Sequence, residues 1–391
     1  MRAGTPGGTI AIAGAGIAGL SAAIALKLAG FPVAVFEREA KLEPIGAGIQ
    51  LGPNATRILE HWNLALLENS IEPDGIELRN ARTGALLNTI PLRRAARARY
   101  GAPYVTILRA DLQAALLSRA NELGVPIEFA SPVTRIDSQA KSLTLEAGGG
   151  THDVAALVGA DGLNSSVRKR MRSCARPFST HAVAWRAILP LAALPAPLRS
   201  IVMIWMGPGA HLVHYPVSGG ACINAVLIID GGFWNESGPD ATSLAFLLRR
   251  LRGWAELPRS VVSSTEAWQP WTIQGVEKSN GGNGRVQLIG DAWHAMPPFL
   301  ASGGVMAIED GGALAECLME ADGAIEPGFE LFRERRSARV WRVAARSTLA
   351  GRFYHCPQPF DVIRDLTIKS ATGTMLLARN DWLYGPSARK S

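Results

Sequence analysis

Three short stretches of this chain set glycines beside an acid in a way that suits a phosphate-bearing ligand. In "TIAIAGAGIAGLSAAIALKLAG", residues 9–30, an apolar strand meets Gly14, Gly16 and Gly19 and then a helix that ends at Gly30. This is the GxGxxG spacing. The first glycine permits the tight turn, the second lets the main chain approach a pyrophosphate, and the third lets the helix pack on the sheet. The helix N-terminus then faces the phosphates. A second strand, "FPVAVFE", ends at Glu37, about twenty residues on, where a carboxylate can hold a ribose 2′-hydroxyl. The second stretch is "ALVGADGLNSSVRKR", residues 156–170, a short apolar strand running into Gly159, Asp161 and Gly162. The third is "GDAWHAMPPFLASGG", residues 290–304, which follows the apolar run 286–289. Open α/β sheets bind ligands beyond the carboxyl ends of their strands, so three such turns predict one extended ligand crossing them all.

The elements around these turns follow from patterning. A helix starting near Gly303 points its positive end at whatever sits before it, and Gly303 and Gly304 permit close approach. Pro297 and Pro298 fix φ and offer no N–H, so they predict a rigid wall. Between roughly 179 and 274 the sequence alternates with turn signals, which predicts antiparallel strands, with smaller strands in 76–90 joining them. In "GAHLVHYPV", residues 209–217, alternation puts His211, Val213 and Tyr215 on one face and Leu212 and His214 on the other. His211 and Tyr215 lie about 13 Å apart along an unbent strand, at about 3.3 Å per residue. They can bracket a ring but cannot both grip one atom. "GGNG" at 281–284 reads as a turn, not a second nucleotide fingerprint. From about 329 the chain reads as an Arg-rich amphipathic helix, and "LLARNDWLYGPSARK" as a short tail at a subunit interface.

Composition bounds the function. At 391 residues the chain suits two intergrown domains. No apolar stretch reaches the roughly 18–20 residues a membrane span needs. Cys174, Cys222, Cys317 and Cys356 have no CxxC spacing, which argues for reduced thiols in the cytoplasm and against a disulfide frame or a metal site. The net charge is +7, yet the densest basic run, "RRAARAR" at 93–99, lacks aromatics and any nucleic-acid module. That run reads as a solvated loop, or as a lure for an anionic substrate or coenzyme.

With these motifs in order, the chain resembles the single-component FAD-dependent aromatic hydroxylases, the para-hydroxybenzoate and salicylate hydroxylase family. Further matches are "GAGIQLGPNA" at 46–55, "LRADLQAAL" at 108–116 and "AIEDGGAL" at 307–314. Within the family it looks closest to the salicylate, 3-hydroxybenzoate and 6-hydroxynicotinate hydroxylases. The resemblance implies an α/β fold: a Rossmann-like FAD-binding domain (1–75, 101–178 and 275–328), an inserted antiparallel-sheet substrate domain (76–100 and 179–274), and a C-terminal helical segment (329–391). It implies FAD as cofactor, with contacts at Gly14, Gly16, Gly19, Glu37, Arg38, Gly48, Arg109, Asp161, Gly290, Asp291, Pro298, Gly303 and Gly304. Arg109 would reach the pyrophosphate, and Asp291 the ribityl chain or pyrophosphate. NADH or NADPH would visit without a Rossmann domain of its own.

By the same resemblance, O2 adds at flavin C4a beside Pro298, and the resulting hydroperoxide hydroxylates a small phenolic or hydroxy-N-heteroaromatic acid. His211 is then the candidate base for the phenol, since an ordinary histidine near pKa 6.5 suits that work. Tyr215 is a hydrogen-bonding or stacking wall. Arg186 and Trp205 are candidate substrate contacts, although Arg186 reads more readily as a structural ion-pair residue. Most tryptophans, Trp234 included, read as core, and His294 as structural. A homodimer fits the family. Two departures stand out: Ser302 replaces the family's usual Gln, and Trp293 replaces a small residue. The rival readings are a same-fold flavin monooxygenase acting on a non-aromatic substrate, a non-catalytic FAD-binding protein and a plain NAD dehydrogenase.

Overall fold

The computed structural model describes residues 8–42, 47–64, 69–138, 143–171, 175–231 and 243–385. Cys174, Trp234 and the end of the tail, 386–391, lie outside them.

The N-terminal apolar run forms a strand, Ile10–Ala13, that is buried on both faces, as a central strand of a parallel sheet must be. It pairs in parallel with Val33–Phe36 on one side and Ala156–Gly159 on the other. Ile127–Glu128 and Val286–Leu288 extend the sheet in parallel at its two sides, and Gly282–Asn283 closes it as a small hairpin strand. The carboxyl ends of Ile10–Ala13, Ala156–Gly159 and Val286–Leu288 are therefore neighbours, which brings the three glycine-acid turns together. The helices Ile17–Leu28 and Gly303–Glu320 pack against each other. They approach closely enough that a Cβ on Gly311 would meet the Ser21 carbonyl carbon at 2.6 Å. A three-stranded antiparallel sheet, residues 133–154, joins the same core.

A second sheet of seven strands runs in the order Gln269–Val276, Pro177–Pro190, Cys222–Asp230, Ala210–Val217, Val202–Gly207, Gly75–Asn80 and Leu86–Pro91. Its pairings are antiparallel except that between Val202–Gly207 and Gly75–Asn80, which is parallel. One face buries Trp185, Met203, Trp205, Leu212 and Leu227 with Leu247, Val261 and Val262 from the helices Leu244–Arg250 and Glu256–Ser263. The other face looks into the cavity described below.

One expectation is corrected. The basic run is not a loop but a helix, Arg93–Tyr100. Ala and Arg favour helix, Ala96 and Tyr100 fall four apart and are buried, and its arginines pair with Asp74, Glu72 and Asp381. The described part of the tail packs on its own chain, and the expected subunit interface remains a proposal. After the long helix Ile325–Tyr354, the segment Asp381–Tyr384 folds back. Arg57 and Arg339 donate to the carbonyls of Tyr384, Trp382 and Leu383.

Candidate active site

Between the two sheets lies one continuous cavity of about 1240 Å³. Its first half is main chain. Gly14 sits at φ +103°, and a Cβ there would meet the Ala160 carbonyl oxygen at 2.7 Å. Gly16 precedes the Ile17–Leu28 helix without a side-chain cap, and nothing lies within 4 Å of where its Cβ would be. The four leading N–H groups of a helix have no partner within it, so this N-terminus opens on empty space. Gly19 and Gly290 do not line the cavity but shape it from behind. A Cβ on Gly19 would stand 1.9 Å from the Gly14 oxygen, and one on Gly290 2.7 Å from the Ala18 Cβ.

Glu37 is buried at the edge of this turn. Its carboxylate accepts from Ala15 N at 2.6 Å and from Glu39 N at 3.0 Å. Arg38 is mostly exposed at the rim, paired with Glu39. Asp161 caps the next turn, its Oδ2 accepting from Ser166 N at 2.6 Å and Val167 N at 3.1 Å. Its Oδ1 is buried and has no partner.

The "GDAWH" turn is held from behind by a buried charge network. Asp310 Oδ2 accepts from Gly290 N at 2.9 Å and lies 2.6 Å from His294 Nε2, and Arg336 bridges Asp310 and Glu309. His294 is thus a bracing residue. Asp310 is held below the usual carboxylate range: burial pushes it up, and His294 and Arg336 together outweigh that. Trp293, the unusual residue, is fully buried. Gly281 makes room for it, since a Cβ there would meet the indole at 2.3 Å, and the indole N–H donates to Ser279 O at 3.2 Å. Beyond the turn, Ser347 donates to Pro297 O at 2.5 Å and accepts from Leu300 N at 3.3 Å, which pins the proline wall. The Gly303–Glu320 helix starts at Ser302 with no side-chain cap. Asp291, Pro298, Gly303 and Gly304 all line the cavity.

These residues fit FAD. Two uncapped helix N-termini and a glycine turn too tight for a Cβ border the same space, with Asp161 in its lining. Arg109 lines it as well. Gly48 fits tightly between this half and the next: its N–H donates to Asn224 Oδ1 at 2.7 Å, and a Cβ there would meet the Tyr215 ring at 2.7 Å.

The second half of the cavity is side chain, supplied by the seven-stranded sheet. His211, Val213 and Tyr215 line it from one strand, with Ile228, Met206 and Arg186 from its neighbours. His211 is 1 % exposed, and burial, then His355, holds its pKa well below the ordinary 6.5. Its Nδ1 is 2.6 Å from His355 Nε2, and its ring packs against Phe299 and Tyr354. Burial pushes the Tyr215 phenol above its usual value, and the Arg186 charge, then the hydrogen bond with Gln50, partly offset this. Gln50 Oε1 in turn accepts from the Tyr104 hydroxyl at 2.6 Å. Arg186 is not the ion-pair residue expected: its guanidinium lies 5.4 Å over the Trp271 ring. Among the described residues no carboxylate is within salt-bridge distance of it. Burial and Arg109 lower its pKa.

Trp205 is the one substrate candidate that the structure places elsewhere. Alternation along Val202–Gly207 turns Ile204 and Met206 to the cavity and Trp205 to the opposite core. There it is fully buried and donates to His214 Nε2 at 3.0 Å. Sequence reasoning missed several lining residues. Gln50 lay inside a motif already singled out, and strand alternation there was the available signal. Phe299 also lines the cavity from the 290–304 turn already singled out, and Tyr354, Trp382 and Tyr384 line it from a C-terminus whose pattern carries no sign of it.

A family model described as "FAD binding domain" matches residues 8–347. The chain is 33% identical over 383 residues to a 3-hydroxybenzoate 6-hydroxylase of Polaromonas naphthalenivorans (strain CJ2), covering 96% of this chain and 95% of that one. It is 31% identical over 353 residues to a 6-hydroxynicotinate 3-monooxygenase of Pseudomonas fluorescens, covering 85% and 89%. Among solved structures, Klebsiella pneumoniae HpxO complexed with FAD and uric acid superposes with a TM-score of 0.85 at 22% identity, over 99% of each chain.

Proposed function

Because the chain belongs to the FAD binding domain family, we propose that it is an FAD-dependent monooxygenase that uses NADH or NADPH and O2 to hydroxylate a small aromatic acid bearing a phenol or a hydroxypyridine. FAD, when bound, would supply the chemistry of hydride acceptance from the nicotinamide and activation of O2 for transfer to the ring. One observation carries the substrate side. Within a single cavity, a buried imidazole held neutral and a guanidinium with no carboxylate partner among the described residues line the wall supplied by the seven-stranded sheet, while the glycine turns border the rest.

In this reading Gly14, Gly16 and the Ile17–Leu28 N-terminus bind the pyrophosphate together with Arg109, and Glu37 and Arg38 hold the adenosine end. Gly303, Gly304 and the Gly303–Glu320 N-terminus offer main-chain N–H groups to the negative end of the reduced ring, as an oxyanion hole does. Pro298 walls the reacting edge without presenting a donor. Arg186 holds the substrate carboxylate, and Tyr215 packs on or hydrogen-bonds the ring. His211 Nε2 takes the hydroxyl proton, which makes the ring electron-rich. Val213, Ile228, Met206 and Phe299 exclude water, so the ring competes well with loss of peroxide. Ser302 accepts no proton in this scheme; its hydroxyl donates to Leu300 O at 2.8 Å. The proposal retains the division of labour in which 1–75, 101–178 and 275–328 hold FAD and 76–100 and 179–274 hold the substrate, in a cytoplasmic protein.

The test is coenzyme oxidation by the FAD-loaded protein across hydroxybenzoates and hydroxypyridine carboxylates, with peroxide measured alongside. Ring-dependent oxidation with hydroxylated product supports the reading. Flavin that neither coenzyme reduces, or oxidation indifferent to every ring tried, overturns it.

A further inference from the structure

One wall of the cavity runs from water to the candidate base. Arg346, Leu349, Ala350, Phe353 and Tyr354 all line it. They recur at i, i+3, i+4, i+7 and i+8, so a single stripe of the Ile325–Tyr354 helix makes this wall. Leu349 is 53 % and Phe353 42 % exposed. The Phe353 and Tyr354 ring centroids are 6.5 Å apart, and that of Tyr354 is 5.2 Å from His211. Facing the stripe, Arg379, Asn380 and Trp382 line the cavity from the segment that folds back. Arg339 donates to Trp382 O and Leu383 O, and Arg342 lies 4.6 Å over the Trp382 ring, which fixes that segment beside the helix. The charges at this opening do not serve the fold. Arg339 and Arg342 are engaged, whereas Arg346, one turn further on, and Arg379 are exposed. Among the described residues neither has an acid within salt-bridge distance. The acids that line the cavity, Glu37, Asp161 and Asp291, stand at the glycine turns instead. Two guanidiniums beside two exposed apolar side chains match a flat apolar ring that carries an anion.

We infer that the gap between this stripe and residues 379–382 is the entrance for an aromatic carboxylate, and that Arg346 and Arg379 draw the anion in before Arg186 holds it. The inference rests on the aromatic-hydroxylation reading above. A charge at a rim acts mainly on the rate of association and its salt dependence, and a buried one mainly on dissociation. A cleft that carries one sign of charge between low-dielectric walls raises the association rate of the opposite charge by about tenfold or more. Leu349 and Phe353 then offer the ring an apolar surface along the path, and Tyr354 leads it to His211. Arg346 and Arg379 touch no reacting atom. They favour acids over neutral phenols by rate of entry, where Arg186 favours them by affinity.

Stopped-flow mixing of the FAD-loaded protein with 3-hydroxybenzoate, and separately with phenol, tests this through flavin absorbance and needs no turnover. At low ionic strength the double variant Arg346→Gln, Arg379→Gln should bind the acid about tenfold more slowly, with dissociation within about twofold. The difference should close near about 1 M salt, where the screening length is about 3 Å. Phenol should bind as before. Leu349→Trp enlarges an exposed side chain of the stripe. It should slow association and dissociation of both ligands together, by about threefold or more, and leave Kd within about twofold, because a narrowed passage changes rates and not the equilibrium. Association of the acid unmoved by the double variant, or a loss carried by dissociation, overturns the capture role. Leu349→Trp without effect on either rate places the entrance elsewhere. A double variant that binds NADH more weakly and the acid as before assigns the opening to the coenzyme and overturns the inference. If the unaltered protein binds no aromatic acid, the functional reading falls and the entrance with it. If it binds and hydroxylates one while the variants behave like it, only the entrance falls.

Discussion

Arg186→Met isolates the assignment of the carboxylate site. Arg186 stands on the cavity face with its guanidinium over Trp271 and no acid partner among the described residues. Burial and the neighbouring Arg109 already work against its charge, so an arriving carboxylate relieves a cost that is present without it. At about 4 Å and an effective dielectric of about 20, the attraction is about 4 kcal/mol. Desolvation of the two ions offsets about half of it. A net of about 2–3 kcal/mol corresponds to a loss of about 30- to 150-fold in Kd when the charge is removed. The assay is titration of the FAD-loaded protein, followed by flavin absorbance, with 3-hydroxybenzoate and separately with phenol. The acid should lose that affinity, while phenol stays within about twofold. Equal losses for both ligands would mean that Arg186 acts by packing on Trp271, and no loss for the acid would place the carboxylate elsewhere.

His211→Ala should retain FAD while coupled hydroxylation falls about 100-fold or more and peroxide per NAD(P)H rises; unchanged coupling would remove His211 as the base. Trp205→Phe should cost about 1–3 kcal/mol of stability, because His214 loses its donor in a buried site. Affinity for 3-hydroxybenzoate should not change, so a weakened Kd without a stability loss would return Trp205 to the substrate wall. Acid should destabilise the fold through its buried histidines. Burial and then Arg79 push the His214 pKa down to about 3, and His211 is held well below 6.5. The unfolded chain takes up these protons below about pH 6.5 and the folded one does not. For His214, stability therefore falls between about 6.5 and about 3 by about 1.4 kcal/mol per pH unit, and His211 adds to the loss in the same direction. Urea titrations at several pH values should find His214→Gln flatter by that amount, and an unaltered slope would refute the linkage. Gly19→Ala, whose Cβ would stand 1.9 Å from the Gly14 oxygen, should purify with about a tenth or less of the normal flavin content; full occupancy would show that the turn can yield.

The cofactor side of the cavity was legible because its determinants are local. GxGxxG, Glu37 and the paired prolines act on the turn that contains them, and the two-residue period of "GAHLVHYPV" fixed which of its side chains share a face. Locality also explains the errors. The basic run was judged by charge although its Ala and Tyr spacing is helical. Trp205 has a face by alternation, but nothing in its own strand says which face looks at the cavity. That depends on the helices Leu244–Arg250 and Glu256–Ser263 covering the other side. His355 had no signal at all. It lies 144 residues from His211 at the end of a long helix. The sequence alone determined the turns that suit a dinucleotide and the pair of residues, His211 and Tyr215, on one side of a strand. Only the tertiary structure decided what stands behind that histidine, because a contact between distant segments is set by how sheet and helix pack and not by any spacing along the chain.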